Sequence, residues 1–283
     1  MLICHRPASV AIACTLLICC GDAPPTWPAQ QVAYQEKGRN GATVEDRIAA
    51  PTGYARTDVP DGSFPHYLRN LPLKPVGSPV LLYSRRPKDH QGAQAAVVDM
   101  SVGDRDLQQC ADAVMRLRAE YLFRSERKAE ICFSFTNGTA VPFARWMKGE
   151  RVSVNGNKAV WVPGGTAGAT HKDLMSYLQL IFSYAGTLSL SRELKDAAGT
   201  PVQAGDVFIH GGSPGHAVVV LDVAENARGE QMMLLAQSYM PAQDIHVLRN
   251  LERVEQSPWF KVNEGEQLRT PEWTFAWSER KRW

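Results

Sequence analysis

Three residues in the chain are of the types that a thiol-dependent hydrolase uses, namely Cys110, His216 and Gln237. A cysteine near the N-terminus of a helix has its thiolate stabilised by the helix dipole. A facing histidine can take the thiol proton and later protonate the leaving group, and an amide side chain can fix the tautomer of that histidine. The residue types therefore predict Cys110 as nucleophile, His216 as base and acid, and Gln237 as the residue that orients the imidazole.

Each of these roles has an alternative in the same sequence. Cys110 lies on the apolar face of its predicted helix, so it can equally be a buried thiol without a catalytic role. His216 can be a strand-end histidine whose hydrogen bonds are simply satisfied. Three nearby residues compete with Gln237 for the third position: Ser238, Asp222 and His246.

Neither a metal, a cofactor nor a nucleic acid is predicted as a ligand. His210 and His216 lie near Asp206 and Asp222, but their spacing matches no strong zinc pattern. Charged residues make up only 21% of the chain and the formal net charge is +2. That balance gives no reason to expect nucleic acid as a partner.

The helix that must carry Cys110 is predicted from caps and hydrophobic spacing. Asp104 and Asp106 are candidate N-caps for a helix that ends near Arg124. Its apolar residues recur three or four positions apart, which is typical of one buried helical face. The cap at Asp106 would place Cys110 about four residues inside the helix rather than at its start.

The strands that must carry His216 and Gln237 lie further along the chain. Residues 206–209, 216–223, 231–237 and 244–248 have strand composition. His216 opens the second of these segments, and Gln237 ends the third. Because an antiparallel hairpin brings these two ends together, Gln237 is expected beside His216.

The order of elements predicts an α+β fold in which a sheet packs against a central helix. Helices and strands are mixed in the first half, and a run of antiparallel-looking strands follows. Hydrophobic residues make up 44% of the 283 residues, enough for one sizeable core. We therefore expect residues 61–283 to form a single domain.

The first residues predict export. Residues 10–20 are almost wholly apolar and follow Arg6, which is typical of a signal peptide and too short for a membrane span. Leu17 followed three residues later by Cys20 and Gly21 resembles a lipoprotein processing site, with Cys20 as the lipidated residue; ordinary secretion is the alternative, and Cys19 sits where a smaller residue is usual. Residues 1–20 are thus predicted as a signal peptide, and the Pro-rich residues 21–60 as a flexible linker. The expected location is the bacterial cell envelope, either lipid-anchored or periplasmic.

Only two of the six cysteines, Cys110 and Cys132, belong to the predicted domain. An exported protein could pair them in a disulfide. Their helix and strand settings argue against that bond, because the sequence does not bring them within bonding distance.

A resemblance to known peptidases covers about twenty residues. The chain contains a Gly-Asp strand, a loop and a Gly-His strand, in the segments Gly205-Asp206-Val207-Phe208-Ile209 and Gly215-His216-Ala217-Val218-Val219-Val220. This order resembles the signature of the NlpC/P60 and CHAP peptidases, which are papain-like cell-wall amidases. The resemblance implies a papain-like antiparallel sheet packed against a central cysteine-bearing helix. Ala111 and Asp112 follow the cysteine here, where that family has a serine or glycine.

A second resemblance runs from about residue 60 to the C-terminus. It is carried by Phe64-Pro65-His66-Tyr67-Leu68-Arg69, Arg105-Asp106-Leu107-Gln108-Gln109-Cys110-Ala111-Asp112, Phe143-Ala144-Arg145-Trp146-Met147-Lys148-Gly149, Gly211-Gly212-Ser213-Pro214-Gly215-His216-Ala217 and Ala236-Gln237-Ser238-Tyr239-Met240-Pro241-Ala242-Gln243. Together these segments resemble the domain of unknown function 4846 family, whose members are exported and often lipid-anchored bacterial proteins. The resemblance implies a shared architecture but brings no activity with it.

The functional expectation is a papain-like thiol hydrolase of the envelope that cleaves an amide bond, with peptidoglycan peptides as the substrate class. The alternative is a non-catalytic envelope lipoprotein that binds a cell-wall or protein ligand. In either case the expected partners are a cell-wall peptide or protein ligand and, through a lipid anchor, the membrane.

Overall fold

The structure is a computed structural model that describes residues 43–263 and 265–283. The predicted signal peptide, the lipidation site at Cys20 and residues 21–42 of the predicted linker lie outside the described residues.

The described chain contains six α-helices, and α3 is the central one. Within α3 nearly every residue is buried, including an ion pair of Arg116 with Glu120 at 2.8 Å. The single buried face that the hydrophobic spacing predicts is therefore too narrow, because β9, α2, α5 and α6 all pack against α3. The helices are α1 (Val44–Arg47), α2 (Phe64–Arg69), α3 (Cys110–Arg124), α4 (Phe143–Met147), α5 (His171–Tyr184) and α6 (Thr187–Glu193).

Fifteen strands are present among the described residues, and nine of them form one sheet. They are β1 (Tyr54–Arg56), β2 (Gln94–Val97), β3 (Cys132–Ser134), β4 (Ala140–Pro142), β5 (Arg151–Asn155), β6 (Lys158–Val162), β7 (Lys195–Asp196), β8 (Val207–His210), β9 (His216–Asn226), β10 (Gln231–Gln237), β11 (His246–Leu248), β12 (Trp259–Lys261), β13 (Gln267–Arg269), β14 (Thr274–Ala276) and β15 (Arg280–Arg282). The α+β prediction is confirmed.

The large sheet is antiparallel, in the order β2-β11-β10-β9-β8-β15-β7, with β1 added beside β9 and β12 beside β10. Side chains alternate between the two faces of a strand. One face of β9 carries Ala217, Val219 and Leu221 into the large core that contains α3. The other face carries Val218 and Val220 into a smaller core that includes Phe275 of β14. The sheet thus lies between the helices and the β13–β14 hairpin.

The linker predicted for residues 21–60 extends too far toward the C-terminus, because the folded domain already begins near residue 43. Residues 54–56 form β1, which pairs with residues 224–226 of β9, and α1 begins at Val44 behind its cap Thr43. Val44 is fully buried. The composition of this segment resembles a tether, but its few apolar residues pack on the domain, so residues 43–60 belong to the fold.

None of the described helices has the length and hydropathy that a transmembrane span requires. Within the part of the chain that the structure describes, Cys110 and Cys132 are both thiols and no disulfide joins them.

Candidate functional site

Helix α3 begins at Cys110, not at Asp106. The N-cap is Gln109, whose backbone N–H donates to the Asp112 carboxylate at 3.1 Å. Asp106 does not cap the helix, because its Oδ1 accepts the backbone N–H of Ala242 at 2.7 Å and the side-chain amide of Gln109 at 3.1 Å. The cysteine therefore occupies the first helical position, where the N–H groups of the first turn and the helix dipole favour an anion.

The thiol of Cys110 is nevertheless protonated in this state of the protein. Only 7% of the residue is exposed. Burial, and secondarily the negative charge of Asp112, raise the pKa of the thiol to about 11, against the opposing effect of backbone N–H groups including those of Ala111 and Ala217. Burial outweighs the helix start, so the thiolate is disfavoured.

The sulfur of Cys110 lies beside β9 at the point where β10 ends. The N–H of Val220 donates toward β8, to the carbonyl of Asp206. Since N–H groups alternate sides along a strand, the N–H of Ala217 points toward β10. The last paired residue there is Ala236, opposite Val219, and β10 ends one residue later. The N–H of Ala217 therefore has no ladder partner in β10 and faces the thiol.

His216 opens β9 and is 1% exposed. Its Nε2 lies 2.8 Å from Oε1 of Gln237. The imidazole packs edge-on against the ring of Tyr239, with 4.9 Å between centroids, and stacks on Phe275 at 5.9 Å. Trp273 completes this aromatic surround at 5.6 Å. Rotation of the ring is restricted on three sides by these contacts.

Burial lowers the pKa of His216 to about 4, although the hydrogen bond to Gln237 and the charge of Glu272 act in the opposite direction. The imidazole is therefore neutral at pH 7. A neutral ring that donates through Nε2 keeps the lone pair of Nδ1 as its basic site.

The structure brings His216 and Gln237 into direct contact, and it sets Cys110 against the backbone of the residue that follows His216. In the described part of the chain no hydrogen bond joins the thiol of Cys110 to the imidazole of His216. Burial, then the charges of Glu272 and of an ionised Cys110, raise the pKa of the Tyr239 hydroxyl, and the Tyr239 ring contacts that of His216 with 4.9 Å between centroids.

The three alternatives to Gln237 have other roles. The Asp222 carboxylate is fully buried and accepts from Arg56 at 2.6 Å and Arg69 at 2.7 Å, which joins β1 and α2 to the sheet. The Ser238 hydroxyl lies 2.8 Å from the carbonyl oxygen of Gln243 and 3.0 Å from that of Gln108, and its one proton is shared between the two bonds. The second of these bonds ties the residues just before Cys110 to the end of β10.

His246, the third alternative, lies opposite Gln237 in the sheet but is turned to its own chain. Its Nδ1 is 3.0 Å from the carbonyl of Asp244. Its Nε2 is buried and has no hydrogen-bond partner among the described residues. Burial lowers the pKa of His246 to about 4, so it too is neutral at pH 7.

Sequence reasoning missed Glu272, which lies between β13 and β14. The amide Nε2 of Gln237 donates to its carboxylate, and Lys88 pairs with the same carboxylate at 2.6 Å. Trp273 and Phe275, which contact His216, belong to the same hairpin. No local signal marks these residues, since they are more than thirty positions from Gln237 and reach the site only through folding.

The acidic residues near His210 and His216 in the sequence, Asp206 and Asp222, are engaged in ion pairs. Asp206 pairs with Arg280 and Arg282, at 2.5 Å and 2.6 Å, just as Asp222 pairs with Arg56 and Arg69. Among residues 43–263 and 265–283 no group of three or more potential ligands is placed to hold a metal ion. These carboxylates are structural, because each is saturated by guanidinium groups.

The chain belongs to the family described as domain of unknown function (4846), whose family model matches residues 44–282. The match begins at α1 and ends in β15, so it covers the whole described domain. No curated protein and no solved structure matches the chain.

Proposed function

We propose that this member of the domain of unknown function 4846 family is a papain-like thiol hydrolase of the cell envelope that cleaves an amide bond. Cys110 is the nucleophile, His216 the general base and acid, and Gln237 the residue that orients the imidazole. The proposal depends chiefly on one observation: the helix starts at Cys110, and its thiol faces Ala217, next to an imidazole held by Gln237.

The reaction would follow from these positions in two stages. The sulfur attacks the carbonyl carbon of the amide while its proton passes to Nδ1 of His216. The proton then moves to the amide nitrogen, the C–N bond breaks, and an amine leaves a thioester on Cys110. In the second stage water, deprotonated by His216, attacks the thioester, and the thiol is restored with release of the acid.

Because the Cys110 thiol and the His216 imidazole are both neutral before substrate binds, they determine at which step the thiol proton is transferred. With the thiol pKa near 11 and the imidazole pKa near 4, both groups are uncharged at pH 7. Proton transfer therefore accompanies attack on the carbonyl instead of preceding substrate binding. The proposed donors to the developing oxyanion are the first-turn N–H groups of α3, which begins at the attacking residue.

The substrate class follows from the expected location. An exported and lipid-anchored domain meets peptidoglycan peptides in the envelope, and the segments around Asp206 and His216 resemble those of cell-wall amidases. We therefore propose peptide amide bonds of the cell wall as the substrates.

The second candidate is a non-catalytic lipoprotein that binds a cell-wall or protein ligand in the same place. The observation in its favour is the protonated, buried thiol, since a sulfur that is 7% exposed and disfavoured as thiolate also suits a core position.

The deciding experiment compares two cysteine variants of the full chain. The wild type, Cys110→Ala and Cys132→Ala are incubated with defined peptidoglycan fragments, and new amine and acid termini are measured by mass spectrometry. We expect cleavage by the wild type and by Cys132→Ala, because Cys132 is exposed on β3, away from the site. Cys110→Ala should lose turnover.

Two results would contradict the hydrolase. Turnover that survives in Cys110→Ala removes the nucleophile, and binding of the fragments without cleavage by the wild type selects the second candidate. A covalent adduct between Cys110 and an electrophilic peptide, absent in Cys110→Ala, would support the hydrolase independently of the natural substrate.

A further inference from the structure

Glu272 closes a chain of polar contacts that starts at His216. Oε1 of Gln237 lies 2.8 Å from Nε2 of His216, and Nε2 of Gln237 donates to the carboxylate of Glu272. The Nζ of Lys88 lies 2.6 Å from Oε1 and 2.7 Å from Oε2 of that carboxylate. The side chains of Lys88 and Glu272 are only 8% and 13% exposed, so water competes little with these contacts.

The direction of each hydrogen bond follows from the carboxylate. An ionised carboxylate has no proton to donate, so the group of Gln237 that faces Glu272 must be its NH2. The amide oxygen then faces His216, and the ring nitrogen opposite that oxygen must carry the proton. The chain of contacts thus specifies the Nε2–H tautomer and leaves Nδ1 with a lone pair.

Without a group at position 272 that can only accept hydrogen bonds, the direction would no longer be fixed. A glutamine side chain is nearly symmetric in shape, and either orientation of its amide fits the same space. If the amide turned over, its NH2 would face Nε2 of His216 and favour the tautomer in which Nδ1 carries the proton. That tautomer cannot accept a proton from the thiol through Nδ1.

We propose that Glu272 is a positioning residue that fixes the amide of Gln237 and, through it, the Nε2–H tautomer of His216. The inference builds on the proposed function, because the free lone pair of Nδ1 matters for catalysis only if His216 deprotonates Cys110. Lys88 supplies the opposite charge that compensates the buried carboxylate, and the half-exposed His90 lies 3.9 Å from Glu272 on the same side.

The tautomer itself can be measured without any substrate. Two-bond proton–nitrogen correlation spectra of histidine-labelled protein distinguish Nε2–H from Nδ1–H, and His216→Gln assigns the signal. The wild type should show the Nε2–H form. Glu272→Gln should show a mixture or the Nδ1–H form, because the new amide can accept from Lys88 through its oxygen while its NH2 faces Gln237. Glu279→Gln is the matched control, because Glu279 is an acid of the same C-terminal segment that contacts a different histidine, His210.

The catalytic consequence is measured on the same variants. Glu272→Gln should lower kcat/KM for amide cleavage on the order of 10²-fold, as expected when a catalytic group is misplaced by a distant change. Glu279→Gln should keep the wild-type value. Far-UV circular dichroism of each variant checks that the fold is retained.

The outcomes separate this inference from the proposed function. A changed tautomer in Glu272→Gln supports the positioning role even if the wild type cleaves nothing. Amidase activity that needs Cys110, together with an unchanged Nε2–H tautomer in Glu272→Gln, overturns the positioning role while the proposed function stands. If Glu272→Gln does not fold, the wild-type spectrum still decides, since an Nδ1–H form there overturns the inference.

Discussion

Gln237 and His246 lie directly opposite each other on β10 and β11, yet it is Gln237 whose side chain bonds the ring of His216. His246 turns its Nδ1 to the carbonyl of Asp244, two residues earlier in its own chain. The amide can serve two neighbours at once, since it has a donor and an acceptor end. It therefore links His216 to the carboxylate of Glu272.

The two cysteines of the domain should differ in reactivity. Burial raises the pKa of Cys110 from 9 to about 11, which lowers its thiolate fraction below that pKa by about 100-fold. Cys132 is exposed. Alkylation by iodoacetamide at pH 8, followed by peptide mass spectrometry, should label Cys132 at least about 100-fold faster than Cys110. Equal rates at the two sites would contradict the buried, protonated thiol.

Asp112→Asn should make Cys110 more reactive at alkaline pH. Burial raises the pKa of Asp112 to about 8, so its carboxylate forms above that pH and then opposes the thiolate two residues away. The variant removes this charge and can still accept from Gln109. We expect its alkylation rate to exceed that of the wild type above pH 8 and to match it below pH 7.

The matched control for this prediction is Asp173→Asn. Asp173 occupies the same third position of the first turn in α5, where it accepts from Thr170. It is not among the groups that shift the pKa of Cys110. If alkylation of Cys110 became faster in both variants, the cause would be a general loosening of the domain and not the charge of Asp112.

Asp222→Asn should destabilise the domain strongly. The carboxylate is fully buried, and its loss leaves Arg56 and Arg69 without their charged partner, which typically costs about 3–5 kcal/mol. Urea unfolding followed by tryptophan fluorescence measures the change. Glu252→Gln serves as the control: its pair with Arg269 is exposed at 57% and 63%, so the change there should stay below about 1 kcal/mol.

Two buried histidines should make the domain less stable in mild acid. Burial lowers the pKa of His216 and His246 from 6.5 to about 4. Below pH 6.5 the two histidines bind protons in the unfolded chain but not in the folded state. Their contribution to the free energy of unfolding is therefore fully present above pH 6.5 and is lost as the pH falls toward 4. Each histidine contributes a slope of up to about 1.4 kcal/mol per pH unit.

His246→Gln isolates one of these contributions. The glutamine amide can replace the bond to the carbonyl of Asp244 but takes up no proton in this range. Unfolding free energies measured from pH 7 to pH 4 should therefore fall less steeply in the variant. A slope identical to that of the wild type would show that His246 is protonated equally in both states.

The local sequence pattern was sufficient to predict most of the secondary-structure elements near the site. The apolar run behind the glycine-rich turn predicts a strand that opens at His216, and Gln231–Gln237 agrees with its prediction at both ends. The segment Asn155-Gly156-Asn157, whose Asn-Gly pair is typical of a hairpin turn, joins β5 and β6. These signals are local, because turn residues and strand periodicity depend on neighbouring positions only.

The sequence alone determined which residue types are available, that His216 and Gln237 stand at adjoining strand ends, and that the domain is α+β. Tertiary structure decided where the helix begins, because a contact with Ala242 removes Asp106 from the capping role and leaves Cys110 at the first position. It also decided that Glu272 reaches Gln237, and that β1 joins the sheet. Such contacts join residues far apart in the chain, and no spacing rule records which distant backbone or side chain will satisfy a polar group.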